Sequence, residues 1–182
     1  PTQRMKSLVE DLLTLTRLES SPLPSPDAIE AYDGSERLPR IISDMELLSG
    51  GDHEIRLDAE AGLAIEGVPT ELDSALTNLI SNAIRYSPDG GTIDVRWFRT
   101  AGGARFEVAD CGVGIAPEHL SRITERFYRV DLAGRSRGGT GLGLAIVKHV
   151  LRRHGSQLHV ESELGEGSLF YCVFPLTYPT KE

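Results

Sequence analysis

Four short polar or glycine-rich segments, set in a fixed order between apolar helices and strands, constrain this chain more than any other feature. They are Asn78-Leu-Ile-Ser-Asn82, Asp110-Cys-Gly-Val-Gly114, Arg126-Phe-Tyr-Arg129 and Gly139-Thr-Gly-Leu-Gly-Leu144. The first lies on the best helical pattern of the chain, Thr70–Tyr86, whose Leu72, Ala75, Leu76, Leu79, Ile80 and Ala83 recur at helical spacing. Thr70 is expected to cap that helix, with Asp73 in the capping-box position. The second segment closes an expected strand over 104–110, which pairs as a hairpin with 92–99 across Gly102-Gly103. The fourth opens a helix over Gly141–His154, stopped by Gly155. Between the second and fourth, residues 115–139 are mostly loop with one short helix. A loop of that length inside a compact domain is usually a lid.

The remaining pattern fits around this frame. Residues 4–19 form a helix with Met5, Leu8, Leu12, Leu15 and Leu18 at spacings of three and four, a seam that asks for a partner helix. A plain core helix of the same domain is the alternative. Ser20-Ser-Pro-Leu-Pro-Ser-Pro26 then reads as a linker. Ser35 to Ser49 is an amphipathic helix with Leu38, Ile41, Ile42, Met45 and Leu48 inward, ended by Gly50-Gly51. Short strands are expected at His53–Ala59, Leu63–Val68, Gln157–Ser162 and Ser168–Phe174. Helices and strands interleave, yet hairpins occur too. A mixed α/β sandwich of the α+β class therefore suits the pattern better than a doubly wound parallel sheet.

Composition removes several classes of function. A net charge of -8 argues against nucleic acid as the main partner, because phosphate neutralisation needs a basic face. Two cysteines, Cys111 and Cys172, do not make a disulfide framework. No His/Cys cluster has metal-ligand spacing. No apolar run has the length of a membrane span. The chain starts at Pro1 without an initiator Met and is expected to be a piece of a longer protein.

The segments carry chemistry that their residue types explain. Asn78, Asn82 and Arg85 share one edge of their helix. Asparagine is a poor helix-interior residue, so two on one edge point to use of their amides, oxygen toward a hard cation or NH2 toward phosphate. A solvated polar edge is the plain alternative. Asp110, acceptor-only when ionised, can accept a hydrogen bond from an exocyclic amine, and Gly112 and Gly114 admit close backbone approach. An ordinary turn is the alternative there. The glycine run before a helix start offers free N–H groups to phosphate. It is not a Walker A loop, since no Lys-Ser/Thr follows, and no strand precedes it as in a dinucleotide fingerprint.

Taken together, the four segments resemble the N, G1, F and G2 boxes of the catalytic, ATP-binding domain of bacterial sensor histidine kinases, a Bergerat-type fold. The resemblance implies a mixed sheet packed on three helices, with an ATP lid. It implies Mg²⁺ on Asn82, phosphates on Arg85, with Asn78 and Tyr86 among the nucleotide-binding residues, and the adenine amine on Asp110 beside Gly112 and Gly114. It implies a lid anchored by Phe127, Arg129 at the γ-phosphate, and a phosphate loop of Gly139, Thr140, Gly141, Leu142, Gly143 and Leu144. Asn78 and Arg129 take the catalytic positions. Thr124 stands where many members carry a second aromatic. Lys148 is expected at the surface or against the lid, and Arg126, Arg135 and Arg137 as a basic loop.

Residues 1–20 resemble the end of a dimerisation and phosphotransfer hairpin, 21–34 a linker, and 35–182 the catalytic domain. The wording of 4–19 is nearest the phosphate-regulon sensor kinases. The intact enzyme would be a cytoplasmic-facing, membrane-anchored homodimer that moves a phosphoryl group from Mg-ATP to a histidine, then to a response regulator. His53-Glu-Ile-Arg56 mimics the start of an acceptor box but lacks the Thr-Pro that follows and falls in an expected strand. Two rivals remain: an ATPase of the same fold, disfavoured because Asn78 replaces the glutamate base, and a nucleotide-sensing interaction module.

Overall fold

The computed structural model describes residues 2–21, 23–130 and 138–179. Its elements run α1 (Thr2–Ser20), β1 (Glu30–Asp33), α2 (Gly34–Ser49), β2 (His53–Ala59), β3 (Ala64–Gly67), α3 (Pro69–Arg85), β4 (Gly91–Thr100), β5 (Gly103–Asp110), α4 (Pro117–Leu120), α5 (Gly143–Arg153), β6 (His159–Glu163) and β7 (Gly167–Phe174). A five-stranded sheet has the order β2-β4-β5-β7-β6. The β2–β4 pair is parallel and the other pairs are antiparallel, so the sheet is mixed. β1 and β3 form a separate antiparallel pair.

One face of the sheet meets the helices. Along β4, Ile93, Val95 and Trp97 are buried while Asp94 and Arg96 face out, the period-two pattern of a half-covered sheet. α3 brings Leu72, Leu76, Leu79 and Ile80 to that core, each almost fully buried. Each such side chain contributes roughly 1.5–3 kcal/mol against exposure. Packing of α3 on α5 and β5, and of α2 on α3 and β2, completes the layer.

Three expectations are corrected. The helix expected from Thr70 starts at Pro69, with Val68 as its N-cap and no side-chain cap. The Val68 N–H instead donates to Nε2 of His154 at 3.1 Å, while His154 Nδ1–H donates to Val150 O at 2.7 Å. Burial pulls this imidazole below its ordinary pKa, which fits a neutral ring serving both bonds. Asp73, released from capping, takes the Tyr32 hydroxyl at 2.9 Å and the Arg37 guanidinium. Leu48, expected inside, is exposed, while Met45 and Ser49 on the other side of the last turn are buried. The expected linker over 21–34 contains a strand: Glu30–Asp33 pairs with β3, and Tyr32 is buried in the core.

α1 divides lengthwise. Leu15 and Leu18 are buried and Leu8 packs beside them, in the layer where α1 meets α5. Met5, Val9, Leu12 and Leu13 remain exposed. No helix among the described residues is long and apolar enough to cross a membrane.

Candidate functional site

The four segments, spread over more than sixty residues of sequence, line one cavity of about 490 Å³. α3 presents Asn78, Asn82 and Arg85 to it, followed by Tyr86 at the helix end. The end of β5 presents Asp110, and the following turn presents Gly114. Arg129, Gly139, Thr140, Gly141, Gly143 and Leu144 enclose the far end, where α5 begins.

The two ends differ in chemistry. At one end Asp110 is largely enclosed, next to Ile115, Ser168 and Phe170. Its carboxylate accepts the Gly112 N–H at 2.9 Å and a backbone bond from Ser168. Those donors favour the charged form, but loss of water outweighs them and pushes its pKa up to about 6. Such an acid is poised to accept a ligand donor that would replace the lost water. Gly112 itself lies outside the lining, where an added Cβ would strike the Tyr86 carbonyl.

At the other end, Asn82 is buried and its Oδ1 accepts from Arg85 Nη1 at 3.1 Å. Burial first, and then the neighbouring Arg129 charge, pull the Arg85 guanidinium below its ordinary value, while Asp11 acts in the opposite sense. A site that squeezes two arginines together favours a polyanion. Arg129 donates to Gly138 O at 3.3 Å. The loop before α5 bends through positive φ at Gly141, where an added Cβ would strike the backbone of Phe127. At Gly143 an added Cβ would lie 2.7 Å from Asn78 Oδ1. Asn78 Nδ2 is engaged by Ser74 O at 2.9 Å. The start of α5 has no side-chain cap, and its first residues, Gly143 and Leu144, line the cavity. Thr140 Oγ1 accepts the Leu142 N–H at 3.2 Å. Leu142 is fully buried and belongs to the core rather than the lining.

Phe127 departs from its expected role as lid anchor. Its side chain is 58% exposed and its φ is 61°, while its N–H donates to Gly141 O at 2.9 Å. Backbone, not ring, ties this segment to the glycine loop. Ile123 supplies the buried apolar contact instead, and Tyr128 lines the cavity. The Tyr128 hydroxyl shares a 2.5 Å hydrogen bond with His119 Nδ1, and the Arg122 guanidinium lies 4.3 Å from its ring centroid. Arg135 and Arg137 fall outside the described residues. Lys148 is exposed on α5. His53 sits in β2, with Nε2 2.8 Å from Ser87 O, and is not on a helix.

Residues 67–178 match the family of histidine kinase-, DNA gyrase B-, and HSP90-like ATPases. The chain belongs to this ATPase family. Phosphate regulon sensor protein PhoR of Pseudomonas aeruginosa is 47% identical over 173 residues, 94% of this chain and 39% of that protein. Sensor-like histidine kinase SenX3 of Mycobacterium tuberculosis is 38% identical over 186 residues, 94% of this chain and 42% of that protein. The chain thus spans about two fifths of the length of these relatives. Among solved structures, full-length ShkA in complex with AMPPNP superposes with a TM-score of 0.81 at 29% identity, covering 96% of this chain and 36% of that one. The mycobacterial sensor histidine kinase MprB gives 0.70 at 30% identity, covering 82% of this chain and all of that one.

Within this ATPase-family domain, sequence patterns alone missed several lining residues. Ser168 and Phe170 come from β7, brought beside Asp110 by the register that pairs Asp110 with Ser168. The alternation of β7 marks Ser168 and Phe170 as one face, but only strand order places that face at the site. Gln3, Arg4, Ser7 and Asp11 come from α1 and were legible only as the polar side of a helix.

Proposed function

We propose that this chain is the ATP-binding catalytic portion of a two-component sensor histidine kinase. Mg-ATP is its nucleotide, and the phosphoryl acceptor is a histidine outside the chain. The observation that carries this is the single cavity in which an enclosed carboxylate faces two arginines and a glycine-rich helix start. Asp110 receives the adenine amine, which a guanine carbonyl could not satisfy. The N–H groups around Gly139–Gly143, with Arg85 and Arg129, take the phosphates. AMPPNP in the ShkA complex is consistent with such a ligand.

The donor set fits a magnesium ion carried by the nucleotide. No group of His, Cys, Asp or Glu among the described residues could hold a metal alone. Mg²⁺ commonly keeps waters and substrate phosphates, so one amide oxygen suffices from the protein. Asn82 Oδ1, now satisfied by the Arg85 cation, is the oxygen that would hold it. The ion would offset phosphate charge. Arg85 would then meet phosphate oxygens, and Arg129 would neutralise charge on the γ-phosphoryl.

Residues 1–20 serve as the last helix of a dimerisation and phosphotransfer hairpin, joined by a linker to the catalytic unit. The exposed stripe of Met5, Val9, Leu12 and Leu13 supports this, since it is the face a partner helix would cover. The full protein would be a homodimer, anchored in the membrane by other segments, with the catalytic portion in the cytoplasm and a response regulator as next acceptor. Simple hydrolysis is disfavoured because an amide at position 78, already donating to Ser74, cannot act as a base.

The test is calorimetric titration with ATP, with and without Mg²⁺, then incubation with γ-labelled ATP and a separately supplied hairpin carrying the acceptor histidine. Binding that needs Mg²⁺, and label appearing only on the hairpin, is expected. Rapid phosphate release without transfer would replace the kinase proposal by the ATPase one. Stable label on His53 would place the acceptor in this chain.

A further inference from the structure

The cavity holds a charge of the wrong sign for its proposed ligand. Asp11, on α1, lines the same cavity as Arg85 and Arg129. Its Oδ2 accepts the Thr140 hydroxyl at 2.6 Å, across a sequence separation of 129 residues. Thr140 is the one side-chain hydroxyl of the glycine loop, and the same oxygen holds the Leu142 N–H just before α5. A helix carboxylate is therefore fastened to the loop that would meet phosphate. α1 is held in place at three further points. Glu19 pairs with Arg126 of the lid segment and lies 3.5 Å from His149 on α5. Leu15 and Leu18 are buried where α1 meets α5. Arg153, itself paired with Glu71, donates to the carbonyl of Ser21 just beyond α1.

Resting on the nucleotide proposal above, we propose that Asp11 is a specificity-determining gate that discriminates between triphosphate and diphosphate while α1 is docked. A third phosphate adds negative charge at the end of the cavity where Asp11 sits. Like charges in a partly enclosed site repel, and the Thr140 hydroxyl cannot serve Asp11 and a phosphate oxygen through the same proton. The docked helix therefore tolerates the diphosphate better. The triphosphate releases Asp11 from Thr140 and loosens the N-terminal half of α1, where Leu8 alone packs on the core and Met5, Val9, Leu12 and Leu13 are exposed. Linkage makes the effect reciprocal: whatever undocks that half of α1 raises affinity for the triphosphate by the same factor.

The experiment compares the chain with Asp11→Asn, which keeps shape and removes charge, and with Asp11→Ala. Glu10→Gln is the control for net charge, because Glu10 pairs only loosely with Lys6 on the exposed side of α1. Calorimetry gives the ratio of Mg-ATP to Mg-ADP affinity, and hydrogen exchange follows the amides of residues 2–12. Both Asp11 variants should raise that ratio about fivefold to tenfold, and Glu10→Gln should leave it unchanged. ATP should speed exchange in residues 2–12 more than ADP does, and the difference should vanish in Asp11→Asn. A ratio unchanged within twofold in both Asp11 variants, while both nucleotides still bind, would overturn the gate and leave the nucleotide proposal standing. Absence of binding by either nucleotide to the unaltered chain would overturn both.

Discussion

The two ends of the cavity are built from different material. The proposed base end is made by neighbouring strands: Asp110 closes β5, Ser168 lies opposite it in the ladder, and Phe170 follows two residues on. Its acid is held by backbone donors, Ser168 within the sheet and Gly112 in the turn that follows β5. The phosphate end is assembled from α3, the start of α5, a lid segment and α1, with single hydrogen bonds such as Asp11–Thr140 and Phe127–Gly141 bridging separate pieces. Strand ladders open only with much of the domain, whereas isolated bonds break locally. The fixed end is suited to deciding which base binds. The loosely joined end is suited to sensing how many phosphates follow it and which helix lies across it.

Substitutions at the two ends should therefore fail differently. The largest effect is expected from Asn82→Ala. It removes the proposed metal oxygen and the partner of Arg85 together, so the gain in ATP affinity on adding Mg²⁺ should disappear, a loss on the order of a hundredfold. The fold should survive, since α3 keeps its apolar face. A folded variant with full magnesium-dependent affinity would remove Asn82 from the metal site.

Asp110→Asn comes next. It should weaken ATP, ADP and AMP by a common factor of about ten to a hundred, the worth of a hydrogen bond to a charged group. The common factor is the diagnostic part, because the base end cannot count phosphates. Parallel titrations of the three nucleotides decide it. A loss confined to ATP would move Asp110 away from the base.

Arg129→Ala should act at the opposite end, with an effect of about tenfold on ATP and within twofold on AMP. Equal losses for both would mean that Arg129 shapes the lid rather than meeting a terminal phosphate.

The same division explains what the sequence disclosed. Residues whose place depends on their own element were legible: Asn78, Asn82 and Arg85 share a helix edge by spacing alone, and Gly139–Gly143 announce a helix start. The mixed sheet followed from alternation and turn residues. Residues whose place depends on a distant partner were not legible. Ser168 needs the β5–β7 register, and Asp11 needs α1 to fold back on α5. Misreadings have the same origin. Thr70 and Asp73 satisfy a capping pattern, but Pro69 opens the helix earlier, and the groups that claim Val68 and Asp73 arrive from His154, Tyr32 and Arg37. Phe127 reads as an anchor by its type, yet a left-handed backbone turns its ring outward.

The smallest effect sharpens the comparison through pH. Burial sets the Asp110 pKa at about 6, above its ordinary value of 3.8. In the proposed complex the ionised carboxylate accepts the adenine amine, so protonation of the empty site competes with binding. Above about pH 7 the free site is already ionised and affinity should be level. At the pKa half the sites are protonated, which costs about a factor of two, and each further unit of acid approaches tenfold. For the empty domain the sign is opposite: a raised carboxyl pKa favours folding most at low pH, and that contribution fades as pH rises through about 6. Binding and apo stability should thus move in opposite directions over the same interval. ADP affinity measured from pH 8 to pH 5, in the chain and in Asp110→Asn, isolates the effect, because the titration of the nucleotide phosphate is common to both. The chain should lose more affinity than the variant, with the two curves separating near pH 6. Parallel curves would mean that the acid at the fixed end is not the group that receives the base.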